Sequence, residues 1–215
     1  QLGVTYTKDA TEFNIWAPAA TGVKVNIYEA GAGNACKIGS YTLEKVSSSK
    51  EWNGIWTITL VGNWGDYYYD YMITTTDAYH KDSNQTQTYN IQDPYSIAVS
   101  EDGKYSYITD TSTISPEGWD NDRHVYVDST KANTVYRISV KDFSSDAESG
   151  MTAGGKYSAF TQEGAKVNSA GELVSGIDYL KELGVTTVQL APFADYEADS
   201  EYEILNYNAP ETSYA

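Results

Sequence analysis

Between residues 4 and 73, apolar and polar positions alternate in short runs, each ending in turn residues. The runs 4–7, 12–16, 22–28, 38–43, 54–60 and 67–73 have the period of two that marks a half-buried strand. Lys8-Asp9-Ala10 and Ala17-Pro18-Ala19-Ala20 separate the first three as turns. Strands recurring every ten residues or so predict a β-sandwich, and about seven of them by residue 110 predict an immunoglobulin-like one. Residues 74–90 are polar and read as a long loop at a hairpin.

After residue 130 the period changes. Residues 134–140 are a β-branched and aromatic run with the look of a buried strand. Leu173, Ile177, Leu180 and Leu183 then recur at helical spacing, and Gly184 supplies a stop. Residues 185–192 form a second strand that Pro192 closes. Strand, helix and strand in that order predict a parallel βαβ unit, with ligands gathered at the carboxyl ends of its strands. The expected organisation is therefore a sandwich over 1–112, a linker over 113–132 packed between domains, and an α/β segment over 133–215.

The aromatic residues sharpen this picture, since there are 20 tyrosines and 5 tryptophans. Trp16, beside Phe13 and Ile15, and Trp56, between Ile55 and Ile58, read as core anchors. Trp52 and Trp64 sit instead in polar, glycine-containing turns, Glu51-Trp52-Asn53-Gly54 and Gly62-Asn63-Trp64-Gly65-Asp66. An aromatic at such a site is either a stacking platform for a sugar ring or a contact with a neighbouring domain. Trp119 lies in the turn-rich stretch Ser115-Pro116-Glu117-Gly118-Trp119-Asp120, which reads as the linker.

Charge excludes several function classes. A net charge of −16 over 215 residues, with few and scattered basic residues, argues against a nucleic-acid partner. It suits an extracellular or cell-surface protein and leaves a cytoplasmic one open. Cys36 is the single cysteine, and His80 and His124 stand far apart, so neither a cysteine metal cluster nor a histidine-centred site is expected. No cofactor is implied, and no apolar run is long enough to span a membrane.

Two sets of motifs carry a family resemblance. Leu2-Gly3-Val4-Thr5-Tyr6, Phe13-Asn14-Ile15-Trp16-Ala17-Pro18, Gly54-Ile55-Trp56 and Asp93-Pro94-Tyr95 resemble the α-glucan-binding module that precedes the barrel in pullulanases and in glycogen-branching and debranching enzymes. Val135-Tyr136-Arg137-Ile138-Ser139-Val140-Lys141-Asp142-Phe143-Ser144, Gly155-Lys156-Tyr157-Ser158-Ala159-Phe160-Thr161, Gly176-Ile177-Asp178-Tyr179-Leu180-Lys181-Glu182-Leu183-Gly184-Val185 and Asn206-Tyr207-Asn208-Ala209-Pro210-Glu211 follow in order. They resemble the opening of the (β/α)8 barrel of type I pullulanases, which belong to the α-amylase superfamily and cleave α-1,6 branch points. Pro116-Glu117-Gly118-Trp119 is similar to a segment between module and barrel in that family, and this likeness implies that Trp119 wedges into the junction.

The resemblance implies a partner of the starch, glycogen or pullulan class, and a barrel whose remainder lies outside this stretch or arrives as a separate chain. Retaining glycosidases need two carboxyl groups about 5 Å apart. The family carries them on later strands, whereas the segment after residue 132 is far short of the roughly 250 residues of a complete barrel. No catalytic residue is therefore expected here. Arg137, Ser139 and Lys141 replace the family's usual glutamate, histidine and arginine, and Glu201-Tyr202-Glu203-Ile204-Leu205 stands where its aromatic loop falls. Asp195, Tyr207 and Asn208, near the carboxyl end of the second strand, join Trp52 and Trp64 as candidate substrate contacts. The main expectation is the glucan-positioning part of a debranching hydrolase. The alternative is a non-catalytic α-glucan-binding or scaffold protein with a degenerate barrel remnant.

Overall fold

The computed structural model describes residues 1–31, 36–46, 53–76, 86–127, 132–169, 171–197 and 200–215. The chain divides into two compact units. Unit 1 comprises Gln1–Ser115 together with Leu205–Pro210, and unit 2 comprises Pro116–Ile204 together with Glu211–Ala215.

Unit 1 is a β-sandwich. Its strands are β1 (Gly3–Tyr6), β2 (Ala10–Trp16), β3 (Ala20–Tyr28), β4 (Lys37–Thr42), β5 (Glu44–Lys45), β6 (Ile55–Val61), β7 (Tyr68–Thr76), β8 (Thr86–Ile91) and β9 (Ser106–Tyr107). One antiparallel sheet runs β1-β2-β6-β5, and the other runs β4-β3-β7-β8 with β9 also on β7. Alternation decides what faces inward. Phe13 and Ile15 of β2, Val23, Val25 and Ile27 of β3, and Tyr69 and Tyr71 of β7 are each at most 2 % exposed and meet in one core. Phe13 and Tyr69 stack edge to face across it, with centroids 5.3 Å apart.

The same alternation corrects the reading of Trp16. Odd-numbered positions of β2 point into the core, so Trp16 falls on the outer face and is 58 % exposed. Its indole N–H donates to the carbonyl of Asn53 at 3.2 Å. Trp56 is core, as expected. Its indole N–H is satisfied by the carbonyl of Ala17 at 3.0 Å.

β8 occupies part of what the sequence suggested was loop. Thr86-Gln87-Thr88-Tyr89-Asn90-Ile91 pairs with β7 from Thr76 back to Tyr71, yet most of it is exposed, so it carries no alternation of hydrophobic and polar residues to betray it. The rest of that expected loop, 77–85, lies outside the described residues.

Unit 2 holds β10 (Val135–Ile138), α1 (Val140–Ser144), α2 (Gly176–Glu182), β11 (Thr187–Leu190) and β12 (Ala194–Tyr196). β10 and β11 pair in parallel, from Val135 opposite Thr187 to Ile138 opposite Leu190. Two strands make an open ladder. The short helix α1 was not foreseen. It begins because Ser139 Oγ accepts from the backbone N–H of Asp142 at 3.0 Å, an N-cap. Phe143 of α1 then stacks on Phe160 with centroids 4.1 Å apart. The helix α2 is shorter than its periodic signal, and Leu173 lies before it, largely exposed. Trp119, expected at a junction, is 62 % exposed.

The final strand, β13 (Ile204–Pro210), also went unread. Residues 205–210 group with unit 1 although they were expected to belong to the segment 133–215. Two of their side chains bond within that unit. Asn206 Nδ2 donates to the carbonyl of Gly103 at 3.1 Å, and Asn208 Nδ2 donates to the carbonyl of Pro94 at 3.0 Å.

Candidate functional site

On the outer face of the β4-β3-β7-β8 sheet, a buried carboxylate organises a polar network. Asp70, 4 % exposed, accepts from Asn26 Nδ2 at 2.7 Å, Asn90 Nδ2 at 2.9 Å and the Tyr28 hydroxyl at 3.2 Å. Ser40 in turn donates to Asn26 Oδ1 at 2.5 Å. Asn26, Asn90 and Tyr28 are neutral donors, so hydrogen bonding offsets the cost of burying the carboxylate. Burial, and then the Asp70 charge beside it, push the Tyr28 hydroxyl well above its ordinary range. Tyr28 also packs on Tyr105 with centroids 4.7 Å apart.

A second buried acid lies at Asp93, in the Asp-Pro-Tyr motif. It accepts from the Tyr69 hydroxyl at 2.8 Å and from the backbone N–H of Tyr95 at 2.9 Å. Burial raises its pKa above the usual carboxylate value, and those two hydrogen bonds oppose the rise. Asp93 thus ties the end of a core tyrosine to the loop that follows β8.

A cavity of about 280 Å³ opens beside this acid, lined among others by Thr5, Tyr6, Tyr69, Tyr95, Tyr107 and Thr109. None of these tyrosines was a candidate ligand contact from the sequence, although Tyr6 and Tyr95 stand in motifs of the module. They lie on four separate segments, and only strand register brings their rings around one space.

The candidate residues named from sequence fall in different places. Trp52 lies outside the described residues. Trp64 is half-buried, packed edge to face against Tyr41 and Tyr67 with centroids 6.0 and 5.7 Å away, and its indole N–H donates to the carbonyl of Val61 at 3.2 Å. Tyr207 and Asn208 are neighbours on β13. The Asn208 amide is engaged by Pro94, while Tyr207 is 76 % exposed and offers an open ring. Asp195 belongs to unit 2, on β12, and is only 3 % exposed. The structure therefore joins Tyr207 with Asn208 and assigns Trp64 to the same unit; Asp195 belongs to the other.

In unit 2, the positions that depart from the family pattern have structural roles. Ser139 is the cap of α1, and Arg137 donates to the Tyr202 hydroxyl at 2.8 Å. The Tyr157 hydroxyl lies 3.1 Å from the carbonyls of both Phe193 and Glu211, and burial with the Glu211 charge pushes it up to about 12.

Comparison with known proteins gives this arrangement a context. Residues 1–96 match the model of carbohydrate-binding module 48, the isoamylase N-terminal domain. Pullulanase 1, chloroplastic, from Arabidopsis thaliana is 30% identical over 99% of this chain and 21% of its own length. Among solved structures, the pullulanase of Bacillus acidopullulyticus is 35% identical with a TM-score of 0.83, over 100% of this chain and 25% of that one. The pullulanase of Paenibacillus barengoltzii, in complex with maltohexaose and alpha-cyclodextrin, is 30% identical with a TM-score of 0.86, over 100% of this chain and 32% of that one. By sequence and by fold, the chain corresponds to a region of pullulanases that carries this carbohydrate-binding module, and it spans between 21% and 32% of the length of those relatives.

Proposed function

We propose that the chain is the glucan-binding and glucan-positioning part of an α-1,6-debranching hydrolase, with the catalytic carboxylates outside these residues. One observation carries the reading: a single pullulanase chain, that of P. barengoltzii, matches this chain from end to end at a TM-score of 0.86. The ligands in that complex, maltohexaose and alpha-cyclodextrin, are the chemistry this reading assigns to unit 1.

In this reading the parallel pair β10–β11 is the opening of a (β/α)8 barrel, and the substrate is starch, glycogen or pullulan, met outside the cell or at its surface. Tyr207, with its ring open, stacks on a glucose ring, and Asn208 and Asn206 hold the strand that presents it. Trp64 and Trp52 supply further aromatic surface, and Asp195 is a further candidate substrate contact. Stacking suits a sugar because its C–H faces are apolar while its edge carries hydroxyls.

Native gels cast with pullulan, amylopectin or glycogen test binding. The purified chain should be retarded in at least one of them, and Tyr207→Ala should reduce the retardation. Migration unchanged in all three overturns the reading. Release of reducing ends from pullulan by these 215 residues alone overturns the assignment of the acids to another part of the protein.

A further inference from the structure

The cavity beside Asp93 is lined by Tyr6, Tyr69 and Tyr95 from the residues that match the module and by Tyr107 from beyond them. Its floor is closed by Tyr69 and Ile108, each 1 % exposed. Tyr6 and Tyr107 form walls, and both rings are fixed at their far ends. The Tyr6 hydroxyl donates to Asn63 Oδ1 at 2.8 Å and the Tyr107 hydroxyl to Asp66 Oδ1 at 2.7 Å. Tyr69 is held in the same way by Asp93.

Tyr95 closes another side. Its backbone N–H is bound by Asp93, and its Cβ lies against Gly3, where an added Cβ would stand 2.9 Å away at a φ of +89°. Glycine at this point is what lets the tyrosine approach β1 so closely. Four tyrosines around one space are therefore held before any ligand arrives, which removes much of the entropic cost of binding.

The lining also selects a chemistry. It contains no lysine, arginine, histidine, aspartate or glutamate side chain. Apart from the amino group of Gln1, the lining supplies no charge to hold a phosphate, carboxylate or cation. Aromatic and aliphatic surface alternates instead with the hydroxyls of Thr5, Ser96, Thr109 and Thr111. A ligand matched to this lining is neutral, has apolar faces and carries hydroxyls at its edge.

Size narrows it further. A volume of about 280 Å³ equals the liquid share of about nine water molecules and lies just below the usual range for small-molecule pockets. With the floor closed, the ligand enters end-on. We propose that this cavity binds the terminal glucose unit of an α-glucan chain, an inference that rests on the glucan-binding reading above and adds to it a site for chain ends.

The test follows backbone amide resonances of the whole 215-residue chain during titration with maltotriose and, separately, with alpha-cyclodextrin, a ring without chain ends. Maltotriose is expected to move the signals of residues 4–6, 95–97 and 107–109. Alpha-cyclodextrin is expected to leave them in place. Thr109→Trp, which fills the cavity, and Tyr95→Ala, which removes a wall, should each weaken maltotriose binding about tenfold or more.

Polysaccharide gels separate the two readings. Retardation in the gels without movement of those signals overturns the cavity as a chain-end site and leaves glucan binding intact. Signals moved equally by both sugars overturn the selection for chain ends. No retardation and no moved signals overturn both readings. If a variant fails to fold, the titration of the unaltered chain still decides.

Discussion

Asn208 donates its side-chain amide to the carbonyl of Pro94, 114 positions earlier in the chain, at 3.0 Å. Two residues before it, Asn206 does the same to Gly103. Asn206 is buried and Asn208 is not, so the two bonds differ in worth. Asn208→Ala should cost about 0.5–1.5 kcal/mol, a typical net hydrogen bond, whereas Asn206→Ala should cost about 1–3 kcal/mol because it strands a buried polar group. Urea unfolding measures both. Equal and negligible losses would mean that β13 is held by something else.

Asp70 should be among the least replaceable polar residues of unit 1. Asp70→Ala leaves the buried amide of Asn26 and the amide of Asn90 without their acceptor, and should destabilise by about 3 kcal/mol or more. Combining it with Asn26→Ala should cost clearly less than the sum of the two single changes, because the partners form one network. Additive losses in the double-mutant cycle would show that the contacts are independent.

The two tryptophans near Ala17 should respond oppositely to truncation. Trp56→Ala opens the core and should cost about 3–5 kcal/mol. Trp16→Ala removes an exposed ring and one hydrogen bond, and should cost about 1 kcal/mol. Chemical denaturation of both variants checks the contrast, and a reversed order would place Trp16 in the core after all.

Alkali should weaken the fold through its paired tyrosines. The hydrogen bond to Asp66 is the main cause that pushes Tyr107 up to about 12, and burial is the main cause for Tyr157, also at about 12. In the unfolded chain both hydroxyls titrate near 10. Between those values the unfolded state has released protons that the folded state keeps. This contribution to stability is therefore complete below about pH 10 and declines as the pH rises toward 12. Tyr107→Phe should flatten part of that decline in urea midpoints measured across the window. An unchanged slope would exclude Tyr107 as its source.

The sandwich was legible because its core obeys a period of two, from Phe13 and Ile15 to Val23, Val25 and Ile27. Register was the harder part. Trp16 follows Ile15 directly, and one position decides between core and surface. β8 and β13 escaped for a different reason: most positions of both are exposed, so neither shows a hydrophobic pattern.

Of the candidate contacts, Tyr207 was legible from its motif and lies open. The cavity tyrosines were not, because Tyr6, Tyr69, Tyr95 and Tyr107 converge only through pairing across strands distant in sequence. Ser139 and Arg137, noticed as departures from a family pattern, proved to serve local structure.

β10 and β11 pair with each other and, among the described residues, with no other strand. Each therefore keeps one row of backbone amides and carbonyls without a ladder partner, and such edges recruit further strands from any chain that can supply them. Taken as these 215 residues alone, the chain should self-associate through added strands as its concentration rises, and sedimentation velocity across a dilution series would read that association.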